Sequence, residues 1–390
     1  MDTARRVAHN RERFLDIITG FAAPKSAEDE LHRSVKVLAG SWWEIESNNP
    51  PELSRTTVFM PSNNLLYSYI LFGVVPALYS REVMLRPSSR STSLVGDLHS
   101  EFSRLLPAEI SERISLTEVS QRRFVDESRK ADIIVFTGRY ENGLDIIQKV
   151  GETPRMLMMG SGPNPFVVGP MADLARTTRS LLRARLYNSG QDCLGPDIAF
   201  VHQSVLEPFV KTLTSALDGP RAGNGSDPWM DVAPLVYPDA IEGAVEFLGR
   251  HEGNIVAGGV VDAASGRIDP HVLVWDTDTE LHPDELFSPL FVVVPYSEAG
   301  FITEWASRPQ EMSRGMYMSV FGEPGLNSER VGTAIVRYEA SALDAEDGNQ
   351  PFGGFGEEAS SVHHAGGFET RPILLSAEAA RLDGRGAHGV

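Results

Sequence analysis

The chain has 390 residues, a hydrophobic fraction of 42% and a formal net charge of −18. A single core stops growing at roughly 250–300 residues, so two domains are expected. The acidic charge opposes binding to nucleic acid or to anionic membranes, and neither is expected as a partner. The only cysteine, Cys193, cannot form an intrachain disulfide; this fits a reducing compartment, and we expect a cytoplasmic protein.

The first part of the chain alternates between predicted strands and helices. Residues 1–50 are expected to be helical and to end at a break, residues 48–51. The following strands are predicted at residues 56–60, 82–85 and 133–136, and the helices at residues 65–78, 93–106 and 141–150. This alternation favours an open, mostly parallel sheet with helices on both faces.

A second series of elements is predicted to begin near Arg155. Its strands are expected at residues 156–159, 166–168, 198–202, 271–274 and 290–294, and its helices at residues 172–187, 205–217, 240–248 and 302–307. The fold class is therefore α/β with two open-sheet, Rossmann-like domains. The predicted division is residues 1–154, residues 155–370 with Cys193, and a C-terminal segment, residues 371–390, whose last ten residues are expected to be disordered.

Cys193 is the candidate nucleophile. A lone cysteine is more often a buried, inert side chain, but Cys193 follows a turn that contains Asn188 and Gly190, between a helix and a strand. Turns carry functional residues disproportionately. Their backbone amides can lower the pKa of a thiol and later stabilise an oxyanion.

Six blocks in order carry a resemblance to a known family. They occupy residues 61–66, 86–89, 136–143, 188–193, 285–289 and 351–354. The fourth block, Asn-Ser-Gly-Gln-Asp-Cys, resembles the Asn-x-Gly-Gln-x-Cys signature of the aldehyde dehydrogenase superfamily, and the other blocks resemble motifs of that family in the family's order. The chain is identified as a divergent member, with two Rossmann-like domains and a shortened N-terminal region.

The resemblance implies an NAD(P)-dependent oxidoreductase that interconverts an aldehyde and an acyl derivative through a thiohemiacetal and a thioester on Cys193. It assigns the oxyanion-donor role to the Asn63 side chain together with the Cys193 amide. The alternative for Asn63 is an N-cap of the following helix, and Asn64 competes for either role.

The resemblance also implies a site for NADP or NAD in the first domain. Gly138, Arg139 and Gly143 fall in the block that joins a buried strand to a helix, where a diphosphate would meet backbone amides. The alternative is an ordinary strand–turn–helix connection.

Four further positions extend this cofactor assignment. Arg86 stands where the family has a lysine that contacts the adenosine ribose, with a surface arginine as the alternative. Ser89 replaces a glutamate frequent in NAD-preferring members, which makes NADP at least as strong a candidate as NAD. Glu285 would bind the nicotinamide ribose, or be a surface residue, and Phe287 would pack near the ring.

The family's general-base glutamate falls on Leu157, or on Met158 if the alignment shifts by one residue, and neither can accept a proton. Asp192 and Glu152 are possible substitutes. An acylating or reductive enzyme that handles an acyl thioester or acyl phosphate is therefore an alternative to simple aldehyde oxidation. A non-catalytic binding protein of the same fold is a second alternative.

Two remaining expectations concern metals and assembly. The ten histidines show no ligand spacing, and the one adjacent pair, His363 and His364, has diverging side chains, so no metal site is expected. The family resemblance implies a homodimer that acts on a small-molecule aldehyde or acyl thioester.

Overall fold

The computed structural model describes residues 2–219, 230–276 and 285–383. Its strands in chain order are β1 (Thr56–Phe59), β2 (Val83–Arg86), β3 (Ile114–Leu116), β4 (Ile133–Thr137), β5 (Arg155–Met159), β6 (Phe166–Val168), β7 (Ala199–His202), β8 (Ile255–Ala257), β9 (Val261–Asp262), β10 (Arg267–Ile268), β11 (His271–Val274), β12 (Leu290–Tyr296), β13 (Tyr317–Phe321), β14 (Arg330–Val331), β15 (Ala334–Tyr338), β16 (Ser360–His364) and β17 (Gly367–Thr370).

Helices cover both faces of the sheets. In chain order they are α1 (Asp2–His9), α2 (Arg11–Ile18), α3 (Pro24–Asn48), α4 (Leu65–Tyr69), α5 (Thr92–Leu105), α6 (Ala108–Ser111), α7 (Gln121–Ser128), α8 (Tyr140–Val150), α9 (Leu174–Leu186), α10 (Leu206–Ala216), α11 (Pro238–Arg250), α12 (Ala299–Ala306), α13 (Pro309–Arg314), α14 (Ala342–Ala345) and α15 (Leu375–Ala380). No helix within the described ranges is long and apolar enough to cross a membrane.

Two large sheets form the architecture, which confirms the predicted α/β class. The first sheet has the order β17-β16-β5-β4-β1-β2-β3, and the second has the order β14-β15-β13-β6-β7-β12-β11-β8. In the first sheet β1 pairs in parallel with both β2 and β4. Strands β2 and β3 therefore lie on one side of β1, and β4 and β5 lie on the other. Where the order of parallel strands reverses in this way, a crevice forms at their carboxyl ends.

The predicted boundary between residues 154 and 155 does not coincide with the change from the first sheet to the second. Strand β5 pairs in parallel with β4, and β16 and β17 return to the same sheet from the far end of the chain. The helix α8 is the crossover that brings β5 beside β4, as in any right-handed βαβ unit. The change of sheet lies between Met159 and Phe166.

The segment predicted as one helix at residues 65–78 is helical throughout but changes its winding twice. The α-helical turn of α4 continues into a π-helix, Ile70–Val74, and ends in a short 3-10 helix, Pro76–Leu78. The Val75 amide donates to the Ile70 carbonyl at 2.9 Å, five residues back. Such π-helical turns occur frequently at functional sites, and this one faces the main cavity described below.

The C-terminal segment packs against the first sheet. Glu378 of α15 is buried, and its carboxylate accepts hydrogen bonds from Arg155 at 2.9 Å and from Arg371 at 2.8 Å. A 3-10 turn, Arg381–Asp383, follows α15, so the prediction of disorder is wrong for these three residues. Residues 384–390 lie outside the described part of the chain.

Candidate active site

A cavity of about 580 Å³ brings together most of the predicted site residues. It is bordered by the start of α4 and the π-helix, by the ends of β4 and β5, by the turn that carries Cys193, and by α11. The predicted site residues that line it are Asn63, Gly138, Arg139, Cys193, Glu285 and Phe287. The structure thus brings six of the nine predicted site residues together in one cavity, from segments that belong to both sheets.

The turn before Cys193 has an unusual backbone. Asn188, Ser189 and Gly190 have φ values of 48°, 59° and 80°, so three consecutive residues are left-handed. A Cβ atom on Gly190 would lie 2.4 Å from the carbonyl carbon of Ser288, which requires glycine at this position. Left-handed non-glycine residues cost roughly 1–3 kcal/mol each and cluster at functional sites.

Hydrogen bonds hold this strained turn in place from two directions. The Asn164 side-chain amide donates to the Cys193 carbonyl at 2.6 Å, and its oxygen accepts from the Tyr317 amide at 3.3 Å. The Gln191 side-chain oxygen accepts from the Val236 amide at 2.9 Å. The Cys193 backbone is therefore fixed to both the β13 region and the segment before α11.

The Asn63 side chain is anchored to the turn that carries Cys193. Its side-chain nitrogen donates to the Gln191 carbonyl at 2.9 Å, which uses one of its two N–H bonds and leaves the other for the cavity. Asn64 is left-handed and donates instead to the Asp192 carboxylate at 2.6 Å. Neither asparagine caps α4 with its side chain.

A buried carboxylate from α3 caps α4 instead. Glu30 Oε1 accepts from the Leu66 amide at 2.7 Å and from the Tyr67 amide at 3.1 Å. Burial raises the pKa of Glu30 to about 7, although these two amides oppose the shift. The sequence did not identify Glu30 because it is 36 positions away from the helix that it caps.

The thiol of Cys193 is not activated in the way that the sequence suggested. Burial, and then the negative charges of Asp192, Glu285 and Glu346, raise its pKa well above the ordinary value. A hydrogen bond from the Cys193 backbone amide lowers the pKa of the thiol but does not outweigh these effects. These surroundings therefore disfavour the thiolate form of Cys193, which a base or a nearby positive charge would promote.

This charge state predicts the pH dependence of cysteine alkylation. Below the raised pKa the thiolate fraction increases about tenfold per pH unit, so the rate at which iodoacetamide modifies Cys193 should still be rising at pH 9. A free model thiol measured in parallel should approach its plateau in that range. A Cys193 rate that levels off near pH 7 would show that the thiol pKa is low.

Four of the predicted cofactor residues face the cavity. Gly138 has a φ of 146°, a conformation that disfavours other residues. Arg139 donates to Asp239 of α11 at 2.8 Å across the cleft. Glu285 is accessible from the open cleft. Loss of hydration caused by the surrounding protein nevertheless raises its pKa to about 7. Phe287 is left-handed and packs edge-on against Tyr237, with ring centroids 5.8 Å apart.

Three other predicted cofactor residues do not line the cavity. Arg86 ends β2 and donates from Nε to the Val119 carbonyl at 3.1 Å, while Ser89 is exposed beyond it. Both lie at the sheet edge that also carries Gly138, because β2, β1 and β4 are parallel. Gly143 is buried in α8, where a Cβ would lie 2.3 Å from the Met158 methyl group, so packing explains this glycine.

The position of the missing base is apolar on either alignment. Leu157 is fully buried in the core of the first sheet, and Met158 points to the opposite face. Of the two proposed substitutes, Glu152 lies beside the β16–β17 hairpin and outside the cavity. Asp192 lines the cavity.

The structure adds an ionic cluster that the sequence blocks did not include. Arg33, Tyr67 and Glu346 all line the cavity, and Glu346 accepts hydrogen bonds from both of the other side chains. The only signal in the sequence was the proximity of Glu346 to the block at residues 351–354. Among the residues that the structure describes, no group of histidine, cysteine or carboxylate side chains could hold a metal ion.

Comparison with known proteins defines the class of this fold and site. A sequence model of the aldehyde dehydrogenase family matches residues 64–370. The chain is 18% identical to an oxidoreductase of Marinobacter aquaeolei, with a TM-score of 0.80 over 95% of this chain and 84% of that one. It is 19% identical to a glyceraldehyde-3-phosphate dehydrogenase, GapN, of Methanocaldococcus jannaschii solved with NADP, with a TM-score of 0.77 over 96% and 88%.

This chain belongs to the aldehyde dehydrogenase family, because the family match covers most of its length. Among curated proteins it is similar to an aldehyde dehydrogenase of family 3, comG, of Dictyostelium discoideum, with 29% identity over 61% of this chain and 51% of that protein. The chain spans about half the length of the curated relatives it matches.

Proposed function

We propose that the protein oxidises an aldehyde with NADP or NAD through a covalent intermediate on Cys193. The observation that carries the proposal is the arrangement of Cys193 and Asn63 in one cavity, with the Asn63 amide anchored by Gln191 and one N–H left over. Thiolate attack on the aldehyde carbonyl creates an oxyanion, and that N–H with the Cys193 amide would stabilise it.

The residues present fit a dinucleotide cofactor. The crevice between the carboxyl ends of β1 and β4 is the position where open α/β sheets bind such ligands. Gly138 has no side chain that would keep a diphosphate away from the backbone there, and Arg139 adds a positive charge. Glu285 would accept hydrogen bonds from the nicotinamide ribose, and Phe287 would pack near the ring. The bound cofactor supplies the hydride acceptor.

A second candidate is acyl transfer to a thiol or phosphate, or its reverse, the reduction of an acyl thioester or acyl phosphate. The buried, apolar side chains of Leu157 and Met158 favour it, because these acceptors need no base at that position.

The experiment that tests the function measures reduced cofactor by absorbance with a panel of aldehydes, with and without coenzyme A or phosphate. We expect turnover with NADP or NAD, since both cofactor assignments share the same site. Turnover only with an added acceptor would select acyl transfer. Absence of cofactor binding and of turnover, with every aldehyde, would contradict both enzymatic proposals and favour a non-catalytic binding protein.

A cytoplasmic location and a homodimer remain predictions. The first is supported by the single cysteine, and the second by the family to which the chain belongs. Cell fractionation and the mass measured by light scattering test them.

A further inference from the structure

A carboxylate outside the sequence blocks lies in the same cavity as Cys193. Glu346 lines that cavity, and its side chain is only 7% exposed. It directly follows α14, whose Leu343 belongs to the apolar cluster against which Cys193 packs. We propose that Glu346 is the general base that activates water to hydrolyse the acyl group on Cys193. The inference rests on the proposed covalent chemistry of Cys193.

The side chain of Glu346 is held in a defined orientation. The Tyr67 hydroxyl donates to Oε1, and Arg33 Nη1 donates to Oε2 at 2.8 Å. The Arg33 guanidinium is itself fixed by Asp29 at 2.6 Å and by the Leu343 carbonyl at 2.7 Å. Each carboxylate oxygen keeps a second lone pair, so Glu346 can still accept a hydrogen bond from water.

The backbone around Glu346 is also constrained. Helix α14 begins with a capping box in which Ser341 and Asp344 exchange hydrogen bonds, and Arg183 pairs with Asp344. Two residues after Glu346, a Cβ on Gly348 would lie 2.5 Å from the Tyr67 hydroxyl. Glycine at this position lets the backbone approach α4 closely, which keeps the carboxylate against the cavity wall.

The charges around Glu346 suit a base. Burial raises its pKa above the ordinary value, and Asp192 of the cysteine turn acts in the same direction. Arg33 from α3 and Tyr67 from α4 oppose this shift without reversing it. A raised pKa makes the carboxylate a stronger proton acceptor near neutral pH than an exposed glutamate.

The other carboxylates near Cys193 are less suited to the role. Asp192 adjoins Cys193, and its hydrogen bonds fix the cysteine turn itself: Oδ2 accepts from Asn64 at 2.6 Å and Oδ1 from the Leu194 amide at 2.9 Å, so a proton taken up there would weaken the turn that positions the sulfur. Glu285 interacts with Ser161 at the end of β5, on the wall that carries the cofactor residues. Glu346 belongs to neither arrangement.

The proposed step is a balanced hydrolysis. Glu346 takes a proton from water as the water oxygen bonds to the thioester carbonyl carbon. The resulting oxyanion collapses, the carbon–sulfur bond breaks, and the sulfur of Cys193 leaves as a thiolate. The proton held by Glu346 can return to this thiolate, so the products are a carboxylic acid and the free thiol, with no change of oxidation state.

An activated ester, p-nitrophenyl acetate, tests the step without cofactor or aldehyde. Acylation of Cys193 releases nitrophenolate as a burst, and hydrolysis of the acetyl-enzyme sets the steady rate. For Glu346→Gln we expect the full burst. The steady rate should be reduced by about 10²-fold or more, because glutamine cannot accept the proton. Intact-mass measurement should then show one acetyl group on the protein, and hydroxylamine, which needs no base, should restore turnover.

Two variants complete the design. Glu101→Gln replaces another buried carboxylate, which lies outside the cavity and accepts hydrogen bonds from Arg13 and Arg104, and it should keep both phases. Glu346→Asp should recover part of the steady rate. A steady rate equal to that of the unmodified protein in Glu346→Gln, or equal loss of both phases, would overturn the proposal. Failure to oxidise any aldehyde while the ester phases behave as expected would refute only the proposed dehydrogenase function.

Discussion

Cys193→Ala is expected to lower kcat for cofactor-coupled aldehyde oxidation on the order of 10⁴-fold or more, because no covalent intermediate can form without the sulfur. Alanine fits the partly buried position, which packs against Tyr187, Leu194 and Leu343. The affinity for NADP or NAD should change little, since the residues proposed to bind the cofactor lie on other segments. Stopped-flow absorbance of reduced cofactor measures the chemical step, and a fluorescence titration measures cofactor binding.

The control for this variant uses the fact that the protein has one cysteine. In the unmodified protein, one equivalent of iodoacetamide at alkaline pH should abolish activity, and the alanine variant should incorporate none. Retained turnover in Cys193→Ala, with normal cofactor affinity, would refute the covalent mechanism while leaving the fold assignment intact.

Each sequence block is local, and residues from five of the six blocks line the cavity. The turn before Cys193 combines asparagine and glycine, and the structure shows why: consecutive left-handed residues and the close approach of Gly190 to Ser288. Gly143 differs, because it lies outside the cavity and its close contact with Met158 of the first sheet accounts for the glycine. A glycine in a sequence indicates a close approach to the backbone, but it does not show whether a ligand or another part of the protein makes that approach.

Long-range pairing set the limit of the prediction. Arg33 and Glu346 are 313 positions apart, and neither belongs to a block, so nothing local indicates that they share a cavity with Cys193. The change of sheet after β5 could not be predicted for a related reason. Strands and helices alternate in the sequence on both sides of β5 without interruption. Only the pairing of β5 with β4 and β16 shows that it belongs to the first sheet.

A buried ion pair joins α9, which precedes the cysteine turn, to Asp197, which follows the turn and contacts the segment that carries Glu285 and Phe287. Arg185 is 1% exposed, and its Nη1 donates to Asp197 at 2.8 Å. The same carboxylate oxygen accepts from the Leu286 amide at 3.2 Å. Burial raises the pKa of Asp197 in spite of the arginine, so the attraction does not fully offset the loss of hydration.

Arg185→Met should therefore destabilise the protein by about 3–5 kcal/mol, because it leaves the Asp197 carboxylate buried without its cation. The midpoint of thermal unfolding should fall by roughly 4–6 °C, given the unfolding entropy expected for a chain of 390 residues. Arg81→Met is the matched control: it removes an exposed pair with Glu52 at 2.7 Å, so its effect should stay below about 1 kcal/mol. An unchanged midpoint in Arg185→Met would contradict the importance of the pair.

The pH dependence of the Arg185→Met effect separates lost charge pairing from lost packing. With the cation removed, the pKa of Asp197 rises further above its unfolded value, so the folded state binds a proton that the unfolded state releases. The destabilisation should be smallest at low pH, where the carboxyl is protonated in both states, and should grow as pH rises through the folded pKa. The double variant Arg185→Met with Asp197→Asn keeps an acceptor for Leu286 but carries no charge, and it should recover stability at pH 8 and lose the pH dependence. A deficit that is the same at every pH and persists in the double variant would mean that the arginine acts through its packing volume.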